Sequence, residues 1–286
     1  MNLIKYKVYP ILALIILAVS ACKKEYVGIE VQDNENIQAY LKENNLVFSE
    51  FKDTGIFYKI TKPGTGDSLK YSDQVPLIYT IRSLDGKVSA VDTFTNRYGN
   101  YLGYLAPEGF EIGVKQILGK GDGEIRLIIP SKLAYGRNGN SSIPGNTSID
   151  VSIKVLNAAS LPAYDDSVIQ LYLKSNSLTG FTKTASGLYY KISDPGTGAT
   201  ITTNSKLIAK YSGKLFNGTV FDSAEAYNFV LEDLIKGWQE GLPLIKSGGT
   251  IRLLVPSSLA YGMKGSGPVP IFSCLDFEIT VTSVTL

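Results

Sequence analysis

The chain repeats itself at the length of a small domain, and that limits its architecture more than any other feature. Ile37-Gln38-Ala39-Tyr40-Leu41-Lys42 returns as Ile169-Gln170-Leu171-Tyr172-Leu173-Lys174, and Gly55-Ile56-Phe57-Tyr58-Lys59-Ile60 returns as Gly187-Leu188-Tyr189-Tyr190-Lys191-Ile192. Pro63-Gly64-Thr65-Gly66 returns as Pro195-Gly196-Thr197-Gly198, so all three pairs share an offset of 132 residues. Further on, Leu133-Ala134-Tyr135-Gly136 returns as Leu259-Ala260-Tyr261-Gly262 at an offset of 126, so the second copy is shorter in between. This period is too long for a solenoid repeat and suits a whole domain. Where the copies agree the fold is the expected reason; where they differ, function has room to diverge.

The pattern along each copy sets the expected elements. Asn36 to Leu46 and Ser167 to Leu178 read as short helices that must dock to persist, with Asp33 or Asn34 and Asp165 or Asp166 as possible caps. Strands follow. Ile149, Val151, Ile153 and Val155 alternate with polar neighbours, as do Leu275, Phe277, Ile279 and Val281. Period two predicts one buried face and one wet face, as in an antiparallel sheet. Glu124 to Ile129 and Thr250 to Val255 are further strands, each stopped by a proline. Leu234, Ile235, Trp238 and Leu242 give one apolar helical face to lay across the sheet. The expected fold class is α+β, with two tandem copies, each a twisted antiparallel sheet wrapped on one short helix and preceded by a short helix. The expected boundaries are a signal segment at 1–21, a tether at 22–35, copies at 36–158 and 165–286, and a linker at 159–164.

Lys5 and Lys7, the apolar run Ile11 to Val19 and the small residues Val19-Ser20-Ala21 leading into Cys22 resemble a bacterial lipoprotein signal, with Cys22 as the lipidation site. An ordinary signal peptide beside a chance cysteine is the alternative. Residues 1–21 hold two lysines and no acid, so 26 basic residues remain against 26 acidic ones. That balance argues against a nucleic-acid partner and against a polybasic membrane patch. Membrane association is expected from acyl chains instead. Beyond Cys22 the only cysteine is Cys274, read as a small buried hydrophobe rather than a reactive thiol. Histidine is absent, which excludes imidazole-based triads and histidine zinc sites. Gly119-Lys120-Gly121-Asp122-Gly123 lacks the spacing of a phosphate loop and reads as a strand-linking turn. Asp33 to Glu35 reads as solvated linker.

The second copy gathers the chemistry. It holds Tyr211-Ser212-Gly213, Phe221-Asp222-Ser223, Tyr227-Asn228-Phe229, Leu234-Ile235-Lys236-Gly237-Trp238-Gln239-Glu240-Gly241, Leu259-Ala260-Tyr261-Gly262 and the Phe277 strand. Any single aromatic here is more simply a core residue, and a carboxylate such as Asp222 beside buried aromatics needs a partner, which the Tyr211 hydroxyl can supply. As a set, in this order from Gly187 to Leu286, the segments resemble the FKBP family of peptidyl-prolyl cis-trans isomerases. The resemblance implies a prolyl pocket with Trp238 as its floor and Tyr211, Phe221, Tyr227, Phe229, Leu234, Ile235 and Phe277 around it. It implies that the Ile235 N–H and the Tyr261 hydroxyl hold substrate carbonyls, and that Asp222 orients Tyr211. It implies no cofactor and no metal, with proline-containing polypeptides of the cell envelope or secretory route as partners. The expected location is lipid-anchored at the outer membrane, on its periplasmic face. Rotation about an X–Pro bond meets a barrier of ~18–20 kcal/mol and moves no proton, so a site without histidine suits it.

The first copy departs from this pattern. Tyr79, Asp92 and Tyr135 match Tyr211, Asp222 and Tyr261, but Val91, Phe110 and Val151 stand for Phe221, Trp238 and Phe277. Pro107 falls where Ile235 offers its N–H, and proline has none. Tyr98, Tyr101 and Tyr104 suggest a different surface there. Three readings follow: a prolyl isomerase, a binding module without turnover, or a structural scaffold.

Overall fold

The computed structural model describes residues 28–86, 89–90, 97–157 and 159–285. Cys22, the signal segment, Val91 and Asp92 lie outside them. Among the described residues no helix is long and apolar enough to cross a membrane.

The first half begins with helix α1 (Ile29–Glu43) and the strands β1 (Ser49–Phe51), β2 (Ile56–Lys62), β3 (Leu77–Ser83), β4 (Ser89–Ala90) and β5 (Arg97–Tyr98). Helix α2 (Glu108–Glu111) runs into a wider π turn, Ile112–Leu118, before β6 (Glu124–Ile129) and β7 (Ile149–Val155). The second half has helix α3 (Leu161–Ser175), then β8 (Thr182–Lys183), β9 (Tyr189–Asp194), β10 (Lys206–Leu215), β11 (Val220–Val230), helix α4 (Lys236–Gly241), β12 (Thr250–Val255) and β13 (Leu275–Thr285). Two antiparallel sheets result, ordered β1-β2-β6-β7-β3-β4 and β8-β9-β12-β13-β10-β11, with β5 also paired to β3. The second order is the first with each strand replaced by its counterpart.

Each sheet has its own apolar core under its central helix, one including Phe110, Leu127 and Val151, the other Trp238, Leu253 and Phe277. The opposite face is wet along only part of its length. Ile37, Leu41, Phe57 and Ile128 join α1 to the back of the first sheet, and Ile169, Tyr172, Leu254 and Cys274 join α3 to the back of the second. Alternation on β7 and β13 therefore reports one apolar buried face and one that is covered at Asp150 and Asp276 but open at Ser152, Glu278 and Thr282. Asp150 and Asp276, read as solvent-facing, are each 3% exposed. Asp150 takes a forked pair from Arg126, with Nε at 2.9 Å, and the hydroxyl of Tyr40 at 2.7 Å. Asp276 takes the same from Arg252, with Nε at 2.9 Å, and from Tyr172 at 2.8 Å. A buried carboxylate persists when its charge and lone pairs are met this fully.

The leading helices also start earlier than their patterns suggest, by seven residues in α1 and six in α3. Residues 29–35 are thus helix rather than tether, and Leu161 to Tyr164 are helix rather than linker. Pro162 is compatible because a proline in the first helical turn forfeits only an N–H that has no helical acceptor. Asp33 and Asp165 are not caps of their own helices. Each is buried in the helical stripe and caps a neighbouring turn. Asp33 accepts the N–H of Ser131 at 2.8 Å, its hydroxyl at 2.6 Å and the Ser148 hydroxyl at 2.9 Å. Asp165 accepts the N–H of Ser257 at 2.9 Å and its hydroxyl at 2.6 Å, with the Cys274 thiol at 3.5 Å in the place of Ser148. Cys274 is buried as expected, but it stands where the first copy has a hydroxyl. Gly119 to Gly123 joins the π turn to β6, so it links helix to strand rather than strand to strand.

Candidate prolyl site on the second sheet

The second sheet is built to receive α4 closely. A β-carbon at Gly237 would come within 2.4 Å of Val255, and one at Gly241 within 2.7 Å of Leu253. Those two glycines let the helix lie against β12 and drive Trp238 between the sheet and the loops. Gly213 on β10 does the same work laterally: a β-carbon there would meet Phe277 at 2.7 Å and Phe221 at 2.8 Å. Bulges in β10 beside Tyr211 and Gly213 turn the strand as it passes the site.

The expected residues come together around the indole. Tyr211, Phe229 and Phe277 meet Trp238 edge to face, with centroids 5.1, 5.5 and 5.2 Å away. Phe221 meets Phe277 edge to face at 5.5 Å, and Tyr227 lies against Tyr211 at 5.9 Å and stacks on Phe229 at 5.2 Å. Leu234, Ile235 and Tyr261 pack on the same core. Such ring pairs favour this geometry through their quadrupoles. Trp238 is 3% exposed, and its indole N–H has no acceptor among the described residues.

The polar groups sit at the rim. The Tyr211 hydroxyl donates to Asp222 at 2.6 Å. Burial first, then that bond, raises the Tyr211 pKa, which keeps the hydroxyl protonated as a donor. Asp222 is itself exposed, so the desolvation cost expected for it does not arise; its partner is the buried one. Burial, then the charge of Asp222, also raises the pKa of Tyr261. No described residue pairs with the Tyr261 hydroxyl or accepts from the Ile235 N–H. Ile235 is the residue that caps α4, its carbonyl taking the Trp238 N–H at 3.0 Å, rather than part of the helical face read from the sequence. Leu234 likewise precedes the helix.

Gln239 escaped the sequence reading. Its side-chain amide donates to the carbonyls of Glu232 at 2.9 Å and Leu234 at 2.7 Å, bracing the turn that presents Ile235. Its position one residue after Trp238 was the available signal, since a polar side chain there faces back along the turn.

The first sheet builds a different interior. Tyr79 meets Phe110 edge to face at 5.2 Å, matching the Tyr211–Trp238 pair. Pro107 caps α2, with Phe110 N–H on its carbonyl at 2.9 Å, so the alignment of Pro107 with Ile235 holds in the structure. Beside them, Ile81 pairs with Val151 where Gly213 pairs with Phe277. A side chain on β3 thus fills space that the second sheet leaves to an aromatic ring on β13. Tyr101 and Tyr104 are exposed and in edge contact at 6.5 Å.

A model of the FKBP-type peptidyl-prolyl cis-trans isomerase family matches residues 198–282. The FKBP-type peptidyl-prolyl cis-trans isomerase FkpA of Buchnera aphidicola (subsp. Schizaphis graminum) is 41% identical over 121 residues, covering 40% of this chain and 48% of that protein. The outer membrane protein MIP of Legionella longbeachae is 40% identical over 119 residues, covering 40% of this chain and 51% of that protein. The chain thus spans about half the length of these curated relatives. Among solved structures, FkpA from Escherichia coli is similar at 32% identity and a TM-score of 0.40, covering 45% of this chain and 61% of that one. The family model lies over the strands, helix and turn that carry Tyr211, Trp238, Tyr261 and Phe277, and residues 198–282 are therefore similar to the FKBP-type peptidyl-prolyl cis-trans isomerase family.

Proposed function

We propose that the chain is a peptidyl-prolyl cis-trans isomerase acting on proline-containing polypeptides, with its second half as the working site. The observation that carries this reading is the aromatic cage on Trp238 beside two donors without partners among the described residues, the Ile235 N–H and the Tyr261 hydroxyl. Trp238 is the floor for the prolyl ring, with Phe221, Tyr227, Phe229, Leu234 and Phe277 around it. Tyr211, oriented by Asp222, completes the wall. A planar amide is the more polar state, because resonance places charge on its oxygen. Twisting removes that charge, so a dry aromatic wall favours the twisted amide relative to the planar one. Donors on the flanking carbonyls hold the chain while the bond turns. A 10³-fold acceleration asks for only about 4 kcal/mol.

The two sheets with separate cores support reading the chain as two tandem FKBP-like units, the first extending from α1 to β7 and the second from α3 to the end. The first is a unit with an altered pocket. The losses at Pro107, Phe110 and Val151 favour binding without turnover for that half. The residues up to Cys22, together with the envelope location in the name of the Legionella relative, support lipid anchoring at the bacterial envelope. The mass of the mature N-terminus tests it: an unacylated Cys22 removes the anchor from this reading.

The decisive substitution is Ile235→Pro. Ile235 already has φ −59°, close to the fixed value of proline, and its N–H has no acceptor among the described residues. Pro107 occupies the equivalent cap in the first half. The change therefore removes a donor from the site at little cost to the fold. In a proline-peptide exchange assay the full chain should accelerate isomerisation, Ile235→Pro should lose about tenfold or more, consistent with ~1.4 kcal/mol for one hydrogen bond, and Ile235→Ala should lose less. A full chain that binds the peptide without accelerating its exchange makes the second half a binding module.

A further inference from the structure

Each copy runs from its Ala-Tyr-Gly turn through a loop into its closing strand, and one position in that loop separates the copies. Asn146 N–H donates to the Gly136 carbonyl at 2.8 Å, and Phe272 N–H donates to the Gly262 carbonyl at 2.9 Å. The two residues are equivalent, and both hold left-handed backbone, with φ +55° and +52°. Asparagine is among the few side chains that tolerate this region, whereas a bulky aromatic there is an outlier. Such strain persists only where the surroundings fix it.

Those surroundings come from outside the second sheet. Phe272 is 0% exposed although it lies in a loop. It is buried with Leu156, which follows the last strand of the first half, and with Leu161 at the start of α3. Gly99 of the first half closes on the same place: a β-carbon there would lie 2.1 Å from Ile271 Cδ1 and 2.8 Å from Phe272 Cε2. Gly99 is itself held to the first sheet, its carbonyl accepting from Gln74 Nε2 at 2.9 Å. The loop that begins at Tyr261 and Gly262 is thus plugged by Phe272 into a socket formed by the first half and the joining helix. The Phe272–Gly262 hydrogen bond ties the plug to the residue next to Tyr261.

We propose that Phe272 is a positioning residue through which the first half holds the loop carrying Tyr261 in place at the second half's site. The first half then contributes to catalysis as a buttress, whatever its own pocket binds. This rests on the reading of the second half as a prolyl isomerase, and the test separates the two.

The test uses the full chain with Phe272→Asn, which installs the residue the first copy uses and relieves the left-handed strain. Gly99→Val approaches from the other side, pressing a side chain into Ile271 and Phe272. Each should raise hydrogen exchange at the amides of residues 262–271 at least tenfold while leaving exchange in β10 and β13 unchanged. Each should raise KM for a proline peptide severalfold, and the double variant should be no worse than the stronger single one. Adding Tyr261→Phe to Phe272→Asn should cost less than Tyr261→Phe costs alone. Unchanged loop exchange in both variants overturns the docking. Released loops with unaltered KM and kcat overturn the positioning role. An unmodified chain without isomerase activity overturns the prolyl-isomerase reading and the positioning role with it, while exchange still decides the docking.

Discussion

Asp150 and Asp276 hold equivalent arginines, equivalent tyrosines and the same place behind their sheets, while Phe110 and Trp238, on the other side of those sheets, share one aromatic neighbour among the described residues. The difference follows from the two kinds of interaction. A buried carboxylate, its guanidinium and its hydroxyl depend on one another, and losing any one strands a charge or a donor. None can drift alone. An aromatic wall tolerates exchange of volume between neighbours, as Ile81 with Val151 against Gly213 with Phe277 illustrates. The polar skeleton therefore marks what the fold requires, and the apolar interior is where the halves became different.

The harshest challenge to this comparison is Asp276→Ala beside Asp150→Ala. Each takes the carboxylate from a half-buried arginine and its tyrosine, and each should cost about 3 kcal/mol in denaturant unfolding of the half that carries it, the low end for a broken buried pair because the arginine keeps access to water. Similar losses in both halves sustain the equivalence; a loss under about 1 kcal/mol in either breaks it. Next is Trp238→Ala against Phe110→Ala. The first should lower kcat/KM for proline-peptide exchange by about 10²-fold, ~2.7 kcal/mol of transition-state binding. The second should reduce stability and leave kcat/KM within about twofold. Equal activity losses would place turnover in both halves.

The finest distinction lies in alkali. Burial, then the bond to Asp276, raises the Tyr172 pKa from 10.0 to about 12, and burial, then Asp150, raises that of Tyr40. A pKa raised on folding means that the folded state favours the protonated hydroxyl. The stabilisation is fully present below pH 10 and is lost as pH rises through about 12. Tyr172→Phe should flatten the fall in stability between those limits, and Tyr40→Phe should flatten it less. Identical slopes for both variants and the unmodified chain would remove these hydroxyls from the balance.

Much of this was legible in the chain. The α+β class and the antiparallel strands follow from alternation, and the ring set around Trp238 follows from the motifs that carry the family resemblance. The leading helices were misplaced because their first turns are polar: Asp33 and Asp165 look solvated until Ser131 and Ser257 are brought to them across about a hundred residues. The signal was nonetheless present. Asp33, Tyr40, Arg126, Ser131 and Asp150 each return at the repeat offset as Asp165, Tyr172, Arg252, Ser257 and Asp276. Identical polar residues in two copies that otherwise diverge announce burial better than hydropathy does. Phe272 was illegible for a different reason, since its partners belong to the other half and no periodicity records them.

Strand β13 carries Asp276 and Phe277 as consecutive residues, one turned to α3 and the other to the aromatic cage. The tilt of the pocket wall is therefore shared with a helix on the far side that touches no ligand. A lineage that damaged its pocket would have two routes to repair, one of them invisible from the site. If the proposed activity holds, random mutagenesis of a crippled Phe277 variant, selected for restored turnover, should return compensating changes at Tyr172, Phe216 or Cys274 as well as among the rings, and heritable tuning of such a pocket can thus accumulate on its back.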